Sequence, residues 1–280
     1  MRVSDCLLEG SAYLRAVTDA PRTEAELLLS HAMDVPRVTL LAYPERRVAV
    51  DQGALYWHLI DRRRENYPLP YLVGRAPFYG LDIAVTPDVL IPRPETELLV
   101  DLALARAPRL VLDVGTGSGC VAVALAAHLP AARVYATDVS AAALRVAQAN
   151  ARRHGVHERV CLVQADLARP FKGLADVLVS NPPYVAESEW ASLPDSVRVH
   201  EPRLALWGGA DGLDVVRRLV RAAPEVLRPG GSMFVEIGAA QGMDAVRLAR
   251  AALPAAEVLL HVDWAGRDRV LEVAFPETVR

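Results

Sequence analysis

Hydrophobic and polar residues follow two different periods along the chain. Between residues 3 and about 67 the apolar positions recur at helical spacing, and Leu59 and Ile60, for example, suit one face of a helix. From about residue 95 onward, short apolar runs alternate with helical stretches, which is typical of a parallel sheet with helices on both faces. The pattern predicts a small bundle of roughly four or five helices followed by an α/β domain.

The α/β region is expected to contain a seven-stranded sheet. The runs that predict its strands are Leu110–Val114, Arg133–Thr137, Val160–Gln164, Val177–Ser180, Ser232–Ile237, Glu257–His261 and Arg269–Phe275. Helices are expected at about 95–106, 118–128, 140–153, 213–227 and 240–252. Because no helical stretch separates the last two runs, we expect the final strand to be antiparallel.

A proline-rich segment separates the two regions. Residues 68–92 contain short alternating runs such as Leu81–Val85, which indicate a β-hairpin. We therefore predict a helical domain at 1–67, a β-hairpin linker at 68–92 and an α/β domain at 93–280.

Composition and charge narrow the classes of protein to which the chain can belong. A hydrophobic content of 52% in 280 residues is enough for a sizeable core. The net charge of −3 argues against a protein whose main role is to coat nucleic acid. Since no apolar run reaches the roughly 18–20 residues that span a bilayer, we expect a soluble protein that does not enter a membrane.

The cysteines point to a reducing compartment. Cys6, Cys120 and Cys161 are odd in number and show neither CxxC nor Cys/His spacing, and the histidines lack metal-like spacing. The sequence therefore predicts no disulfide framework, no metal site and a cytoplasmic location.

A glycine-rich loop follows the first predicted strand of the α/β region. The segment "LVLDVGTGSGC" at 110–120 places three alternating glycines between a strand and a helix, where the backbone can approach a ligand closely. The spacing differs from the dinucleotide pattern G-x-G-x-x-G. Asp113 beside the loop would disfavour a pyrophosphate and favour a cation, such as a sulfonium or an ammonium group.

Two further acidic residues extend this site. Asp138 ends the next strand and can accept hydrogen bonds from both hydroxyls of a ribose. The loop, Asp113 and Asp138 together resemble the Rossmann-like fold of S-adenosylmethionine-dependent methyltransferases. The resemblance implies that Asp166, which follows the third strand, meets an adenine amino group and that Leu167 lines the ring; the alternative is an aspartate that caps a helix or a turn.

The segment Asn181-Pro182-Pro183-Tyr184 follows the fourth strand at the same edge. The two prolines fix the backbone and lack N–H groups. The side-chain carbonyl of Asn181 and the backbone carbonyl of Pro182 can therefore each accept a hydrogen of a planar NH₂ group, on which Tyr184 can stack. This arrangement suits an amide or the exocyclic amine of a base; a rigid turn is the structural alternative.

Several motifs together resemble a known family, the protein-(glutamine-N5) methyltransferases that act on peptide chain release factors. They are "YLVG" at Tyr71–Gly74, "LIPRPETE" at Leu90–Glu97, "DVGTGSG" at Asp113–Gly119, "NPPY" at Asn181–Tyr184, "EPRLAL" from Glu201 and "DGL" ending at Leu213. The resemblance covers nearly the whole chain. NPPY by itself is shared with adenine-N6 methyltransferases.

The resemblance implies the reaction and its site. S-adenosylmethionine is the expected methyl donor, and the acceptor is the glutamine of the Gly-Gly-Gln loop of bacterial class 1 release factors, which the helical domain would recognise. Asn181, Pro182 and Tyr184 are the expected catalytic residues, and Pro183 completes the substrate-binding motif. The expected cofactor contacts are Asp113, Gly115, Thr116, Gly117, Ser118, Gly119, Asp138, Asp166, Leu167 and Asn181. Leu167 stands where the family often carries an aromatic residue.

Three charged residues in the motifs have open roles. Arg93, Glu95 and Glu201 either form structural ion pairs or shape the cofactor or glutamine pocket. Other substrates also remain open, namely a glutamine of a ribosomal protein or, with less support, the N6 of adenine in DNA or RNA. A non-catalytic protein that binds a translation factor is a further alternative. We expect a monomer with a protein substrate and no direct contact with nucleic acid.

Overall fold

The computed structural model describes residues 1–277, which form two compact units. The first unit contains Met1–Arg75 and Pro194–His200. The second contains Ala76–Leu193 and the described residues from Glu201 to Glu277. The predicted boundaries at residues 67 and 92 stay a prediction.

The elements are numbered in chain order. The helices are α1 (Val3–Leu14), α2 (Pro21–Met33), α3 (Arg37–Ala42), α4 (Val50–Arg64), α5 (Leu69–Val73), α6 (Glu97–Ala105), α7 (Cys120–His128), α8 (Ala141–Arg153), α9 (Asp195–Arg198), α10 (Arg203–Leu206), α11 (Asp214–Val226) and α12 (Gly242–Ala252). The strands are β1 (Arg75–Phe78), β2 (Leu81–Ala84), β3 (Leu110–Val114), β4 (Arg133–Asp138), β5 (Val160–Gln164), β6 (Ala175–Ser180), β7 (Leu227–Glu236), β8 (Glu257–Val262) and β9 (Asp268–Ala274). Two 3-10 turns span Pro94–Thr96 and Glu187–Ser192. None of the helices in residues 1–277 is long and apolar enough to cross a membrane.

The first unit is held together by apolar faces of α1, α2 and α4. Tyr56 of α4 is fully buried, and its hydroxyl donates to the backbone carbonyl of Cys6 in α1 at 3.0 Å. Arg63, near the end of α4, pairs with Glu24 of α2 at 2.7 Å. The expected small helical N-terminal region is therefore confirmed.

The second unit contains the predicted seven-stranded sheet, in the order β5-β4-β3-β6-β7-β9-β8. The first five strands in this order are parallel, whereas β9 lies between β7 and β8 and is antiparallel to both. The α/β class and the antiparallel last strand are confirmed. Strand β6 is buried along its whole length, as expected for a central strand covered on both faces.

The strand registers bring the predicted motifs to one edge of the sheet. Val114 at the end of β3 pairs with Ser180 at the end of β6, and Ser180 pairs with Val235 of β7. Strand order reverses beside β3, because β4 and β5 lie on one side of it and β6 on the other. Such a reversal opens a crevice at the carboxyl ends of the strands, where ligands bind in this type of sheet.

Candidate active site

A cavity of about 410 Å³ lies at this carboxyl edge, within the second unit. Its size falls in the range of roughly 300–1,000 Å³ that is usual for small-molecule sites. Twelve of the predicted site residues line it: Arg93, Asp113, Gly115, Thr116, Gly117, Ser118, Asp138, Asp166, Leu167, Asn181, Pro182 and Pro183. The structure thus brings the glycine loop, the three aspartates and most of the NPPY motif to one site.

Four of the predicted residues do not line the cavity, namely Glu95, Gly119, Tyr184 and Glu201. Glu95 is exposed. Gly119 begins α7 with φ +78°, and a Cβ added there would lie 2.9 Å from the Cβ of Ala147 in α8. The third glycine therefore lets two helices pack closely.

The first two glycines of the loop face open space. Gly115 and Gly117 have φ values of +74° and +54°, and an added Cβ at either would meet no atom within 4 Å. L side chains rarely adopt this backbone conformation. The loop is thus a cradle that leaves its backbone open to a ligand, which fits a nucleoside-type cofactor.

Two carboxylates flank the cradle and differ in their surroundings. Asp113 is almost fully buried and accepts a hydrogen bond from the Thr116 hydroxyl at 2.7 Å. Burial raises the pKa of Asp113 to about 7. Asp138 accepts the backbone N–H of Gly117 and that of Ser140, each at 2.9 Å. One oxygen of Asp138 therefore orders the glycine loop and the other orders the start of α8.

The third aspartate, Asp166, is already paired. Arg218 donates to both of its oxygens at 2.7 Å, and Arg218 also lines the cavity. A ligand amino group at Asp166 would share a carboxylate with this guanidinium. The neighbouring Leu167 lines the cavity with a left-handed backbone, φ +56°.

The amide of Asn181 is held from one side. Its Nδ2 donates to Thr96 Oγ1 at 2.9 Å. Within residues 1–277, no donor bonds to its Oδ1 or to the backbone carbonyl of Pro182. Both carbonyls are therefore left to accept hydrogen bonds, as the NPPY interpretation requires of them.

Two glycines that follow the NPPY segment in the chain, Gly208 and Gly212, pack closely against its backbone. A Cβ at Gly208 would lie 2.7 Å from the Pro183 carbonyl oxygen, and one at Gly212 would lie 2.2 Å from the Tyr184 carbonyl oxygen. The same Tyr184 carbonyl accepts from Gln241 Nε2 at 2.9 Å. Residues 208 and 212 can thus be no larger than glycine without displacing this loop.

The side chain of Tyr184 contacts a buried acid. Its hydroxyl donates to Glu236 Oε1 at 3.3 Å, and burial raises the pKa of Tyr184. Glu236 is 1% exposed at the end of β7. Stacking of Tyr184 on a substrate stays a prediction.

Arg93 and Glu201 form an ion pair. Arg93 Nη2 lies 2.5 Å from Glu201 Oε1, and the second oxygen of Glu201 accepts the backbone N–H of Ile91 at 3.2 Å. The Glu201 side chain is 2% exposed. This pair anchors the segment before α6 and puts the Arg93 side chain on the cavity wall.

Sequence reasoning missed three residues at this site. Thr96 lines the cavity. It was missed although it stands inside the IPRPETE motif. Glu236 ends strand β7, as Asp138 ends β4, so the signal that pointed to Asp138 was also present at Glu236. Asn150 of α8 has no local signal; it bonds Ala84 in β2 and the carbonyl of Ser118 at 2.8–2.9 Å, and so supports the glycine loop.

The part of the chain that the structure describes contains neither a metal-binding cluster nor a disulfide. No group of three or more His, Cys, Asp or Glu residues there is arranged to hold a metal ion. The three cysteines are free, and burial raises the pKa of Cys120 on the cavity wall to about 12.

The chain is similar in sequence to known methyltransferases. A family model described as "Methyltransferase small domain" matches residues 94–194, and one described as "PrmC N-terminal domain" matches residues 5–74. A "Release factor glutamine methyltransferase" of Moorella thermoacetica is 48% identical over 256 residues, covering 90% of each chain. A protein of the same description from Cereibacter sphaeroides is 42% identical over 277 residues, covering 99% of each chain.

A solved structure supports the fold independently. A methyltransferase from Pyrococcus furiosus superimposes with a TM-score of 0.55 at 20% sequence identity. The match covers 71% of this chain and 91% of that chain. At this level of identity the likeness concerns the fold alone.

Proposed function

Because the chain belongs to the family of release factor glutamine methyltransferases, we propose that it methylates the side-chain amide nitrogen, N5, of a release factor glutamine. S-adenosylmethionine is the methyl donor. The glutamine is that of the Gly-Gly-Gln loop of class 1 peptide chain release factors. The reaction forms a nitrogen–carbon bond, breaks a sulfur–carbon bond and releases one proton from the amide nitrogen.

The orientation of Asn181 is the observation that carries this proposal. Its Nδ2 is bonded to Thr96, so its Oδ1 is left to accept on the cavity wall. Together with the Pro182 carbonyl it offers two acceptors to the two hydrogens of a primary amide. A donor-rich loop would repel the same group, so the site selects for NH₂.

The acceptors address the main energetic difficulty of the reaction. An amide nitrogen shares its lone pair with the carbonyl, with a rotation barrier of ~18–20 kcal/mol. Positive charge builds on the nitrogen during attack and strengthens both hydrogen bonds, each contributing about 1.5–3 kcal/mol when a charge is involved. Alignment of the reacting atoms can supply up to ~7–11 kcal/mol more. Rigid placement of the loop is therefore as important as the acceptors themselves.

The other end of the cavity fits the cofactor. When bound, S-adenosylmethionine supplies an electrophilic methyl group on a sulfonium. The Gly115–Gly117 cradle lets the cofactor approach the backbone closely. Asp138 offers acceptors for the ribose hydroxyls, and Asp113 offers a negative charge to the ammonium group. The carboxylates favour a cationic ligand and disfavour a pyrophosphate.

A transfer assay tests the substrate. We expect that purified protein with methyl-labelled S-adenosylmethionine labels a class 1 release factor, and that replacing the glutamine of its Gly-Gly-Gln loop by alanine abolishes labelling. Ribosomal proteins and adenine-containing oligonucleotides serve as alternative substrates in the same assay. Labelling of the alanine variant, or preferential labelling of another substrate, would contradict the proposal.

Cofactor affinity is expected to depend on pH through Asp113. Since burial raises the pKa of Asp113 to about 7, the carboxyl is protonated below that pH and must ionise to attract the ammonium group. The affinity for S-adenosylmethionine should therefore fall as pH decreases from 8 to 6, by up to about tenfold per unit below the pKa. Calorimetric titration in buffers of different ionisation enthalpy should detect the accompanying proton release.

The matched variant for this prediction is Asp113→Asn. It keeps the shape and an acceptor for Thr116 but has no titrating group. We expect weaker binding that no longer varies over this pH range. An unchanged pH dependence in the variant would assign the titration to another residue.

A further inference from the structure

A hydrogen-bonded chain of three side chains ends in a buried carboxylate beside the cavity. Asn181 Nδ2 donates to Thr96 Oγ1 at 2.9 Å, and the Thr96 hydroxyl donates to Glu236 Oε2 at 2.7 Å. Thr96 is 2% exposed and Glu236 is 1% exposed. The three residues come from the 3-10 turn before α6, the loop after β6 and the end of β7, so the tertiary fold alone brings them together.

The ionised acid sets the direction of every bond in this chain. A carboxylate can only accept, and a hydroxyl has one hydrogen to donate. The hydrogen of Thr96 therefore goes to Glu236, and the Thr96 oxygen is left to accept from Asn181. An asparagine amide has nearly the same shape when it is flipped, so this acceptor is what distinguishes its two orientations.

We propose that Thr96 and Glu236 are positioning residues that keep the Asn181 carbonyl, rather than its NH₂ group, directed at the substrate amide. This inference rests on the proposed function, in which Asn181 Oδ1 accepts a hydrogen of the glutamine NH₂. A flipped Asn181 would present a donor to a donor. The hydrogen-bonded chain Asn181–Thr96–Glu236, called the relay below, thus acts on turnover through Asn181. Glu236 itself does not contact the substrate.

The same carboxylate also holds the far end of the motif. Glu236 Oε1 accepts from the Tyr184 hydroxyl at 3.3 Å. A single buried acid therefore bonds to Tyr184 directly and to Asn181 through Thr96. This double attachment couples the two residues that flank Pro182 and Pro183.

Protonation of Glu236 should loosen the relay. Burial raises its pKa to about 7, so the acceptor-only form predominates above that pH and is lost as pH falls through it. A protonated Glu236 can donate to Thr96, and the Thr96 hydroxyl can then donate to the Oδ1 of a flipped Asn181 amide. Thr96 and Tyr184 form hydrogen bonds with the Glu236 carboxylate, and Arg269, Glu95 and Cys120 interact with its charge.

Kinetics of three variants test the relay. At saturating S-adenosylmethionine, Thr96→Val should lower kcat for the release factor about tenfold, the worth of one oriented hydrogen bond of ~1.4 kcal/mol. The KM for the release factor should stay the same, and Thr96→Ser should restore kcat. Glu236→Gln should lower kcat similarly and remove the decline of wild-type kcat below about pH 7.

Thr137→Val is the matched control. Thr137 is fully buried in the same unit, and its hydroxyl has no partner within residues 1–277. Its loss should leave kcat unchanged. Full activity of Thr96→Val, failure of Thr96→Ser to restore kcat, or a wild-type pH profile in Glu236→Gln would each overturn the relay while leaving wild-type methylation, and hence the proposed function, intact.

Nuclear magnetic resonance tests the relay without any substrate. The chain has three asparagines, Asn66, Asn150 and Asn181, so labelling asparagine side chains with ¹⁵N gives three NH₂ signals. The Asn181 signal, assigned by its loss in Asn181→Asp, should move as pH passes through about 7 and should stop moving in Glu236→Gln. It should shift in Thr96→Val while Asn150 does not. An Asn181 signal whose pH dependence is unchanged in Glu236→Gln would overturn the proposal, even if Thr96→Val failed to fold.

Discussion

Replacing Asn181 with alanine is expected to lower kcat for methyl transfer to the release factor by about 10²–10³, as when one preorganised hydrogen-bonding group is removed from a catalytic site. The affinity for S-adenosylmethionine should change far less. The physical reason is that the Asn181 carbonyl strengthens its hydrogen bond only as the amide nitrogen gains charge, so most of its contribution appears in the transition state. Single-turnover rates and calorimetric binding on the same preparation measure the two quantities separately.

Gln164→Ala is a suitable control for the loss of an amide. Gln164 is exposed at the end of β5, on the same edge of the sheet, but it does not line the cavity. Its removal should leave turnover unchanged. Equal losses of turnover and cofactor affinity in Asn181→Ala would show that Asn181 mainly supports the cofactor, contrary to the acceptor role.

Replacing Asp138 with alanine is expected to weaken the binding of S-adenosylmethionine while leaving kcat nearly unchanged, which is the reverse of the result expected for Asn181→Ala. The dissociation constant for S-adenosylmethionine should rise at least about 100-fold, or ~2.7 kcal/mol. The carboxylate would lose its bonds to the ribose hydroxyls and its bonds to the backbone N–H groups of Gly117 and Ser140. At saturating cofactor, kcat should be nearly unchanged, because no bond of Asp138 changes during attack by the glutamine.

Asp244→Ala controls for the loss of a carboxylate. Asp244 lies in the first turn of α12, is exposed and pairs locally with Arg247. Its removal should leave the dissociation constant as it is. If Asp138→Ala bound S-adenosylmethionine with wild-type affinity, the ribose assignment would be wrong.

Periodicity predicted most of the sheet because most of its strands are short, largely apolar and bounded by clear breaks. The three strands β3, β4 and β5 begin where the pattern predicts, and the antiparallel last strand followed from the missing helix before it. Strand β7 begins at Leu227, five residues before the predicted start. Leu227 pairs with Ala175 ahead of a register shift, and a pairing of this kind depends on a neighbour distant in the chain.

The candidate site was predictable only where a motif carries its own chemistry. The glycine loop, Asp113, Asp138 and Asn181 stand at strand ends, and parallel registers align those ends. The partners were not predictable, since Arg218 reaches Asp166 and Glu201 reaches Arg93 across large sequence separations. The motif IPRPETE drew attention to Arg93 and Glu95, whereas burial selects Thr96, because helical geometry turns neighbouring side chains in different directions.

The seven residues Pro194–His200 belong to the helical unit, although about 120 residues separate them from its main part. Within that unit, His200 lies edge-on to the ring of Tyr67, with 4.9 Å between the ring centroids. The polypeptide therefore passes from one unit to the other three times. Exchange of the helical unit between two relatives, in evolution or in the laboratory, must replace two separate stretches of gene at once. A single crossover near residue 75 would join the five helices α1–α5 to a foreign sixth helix, α9.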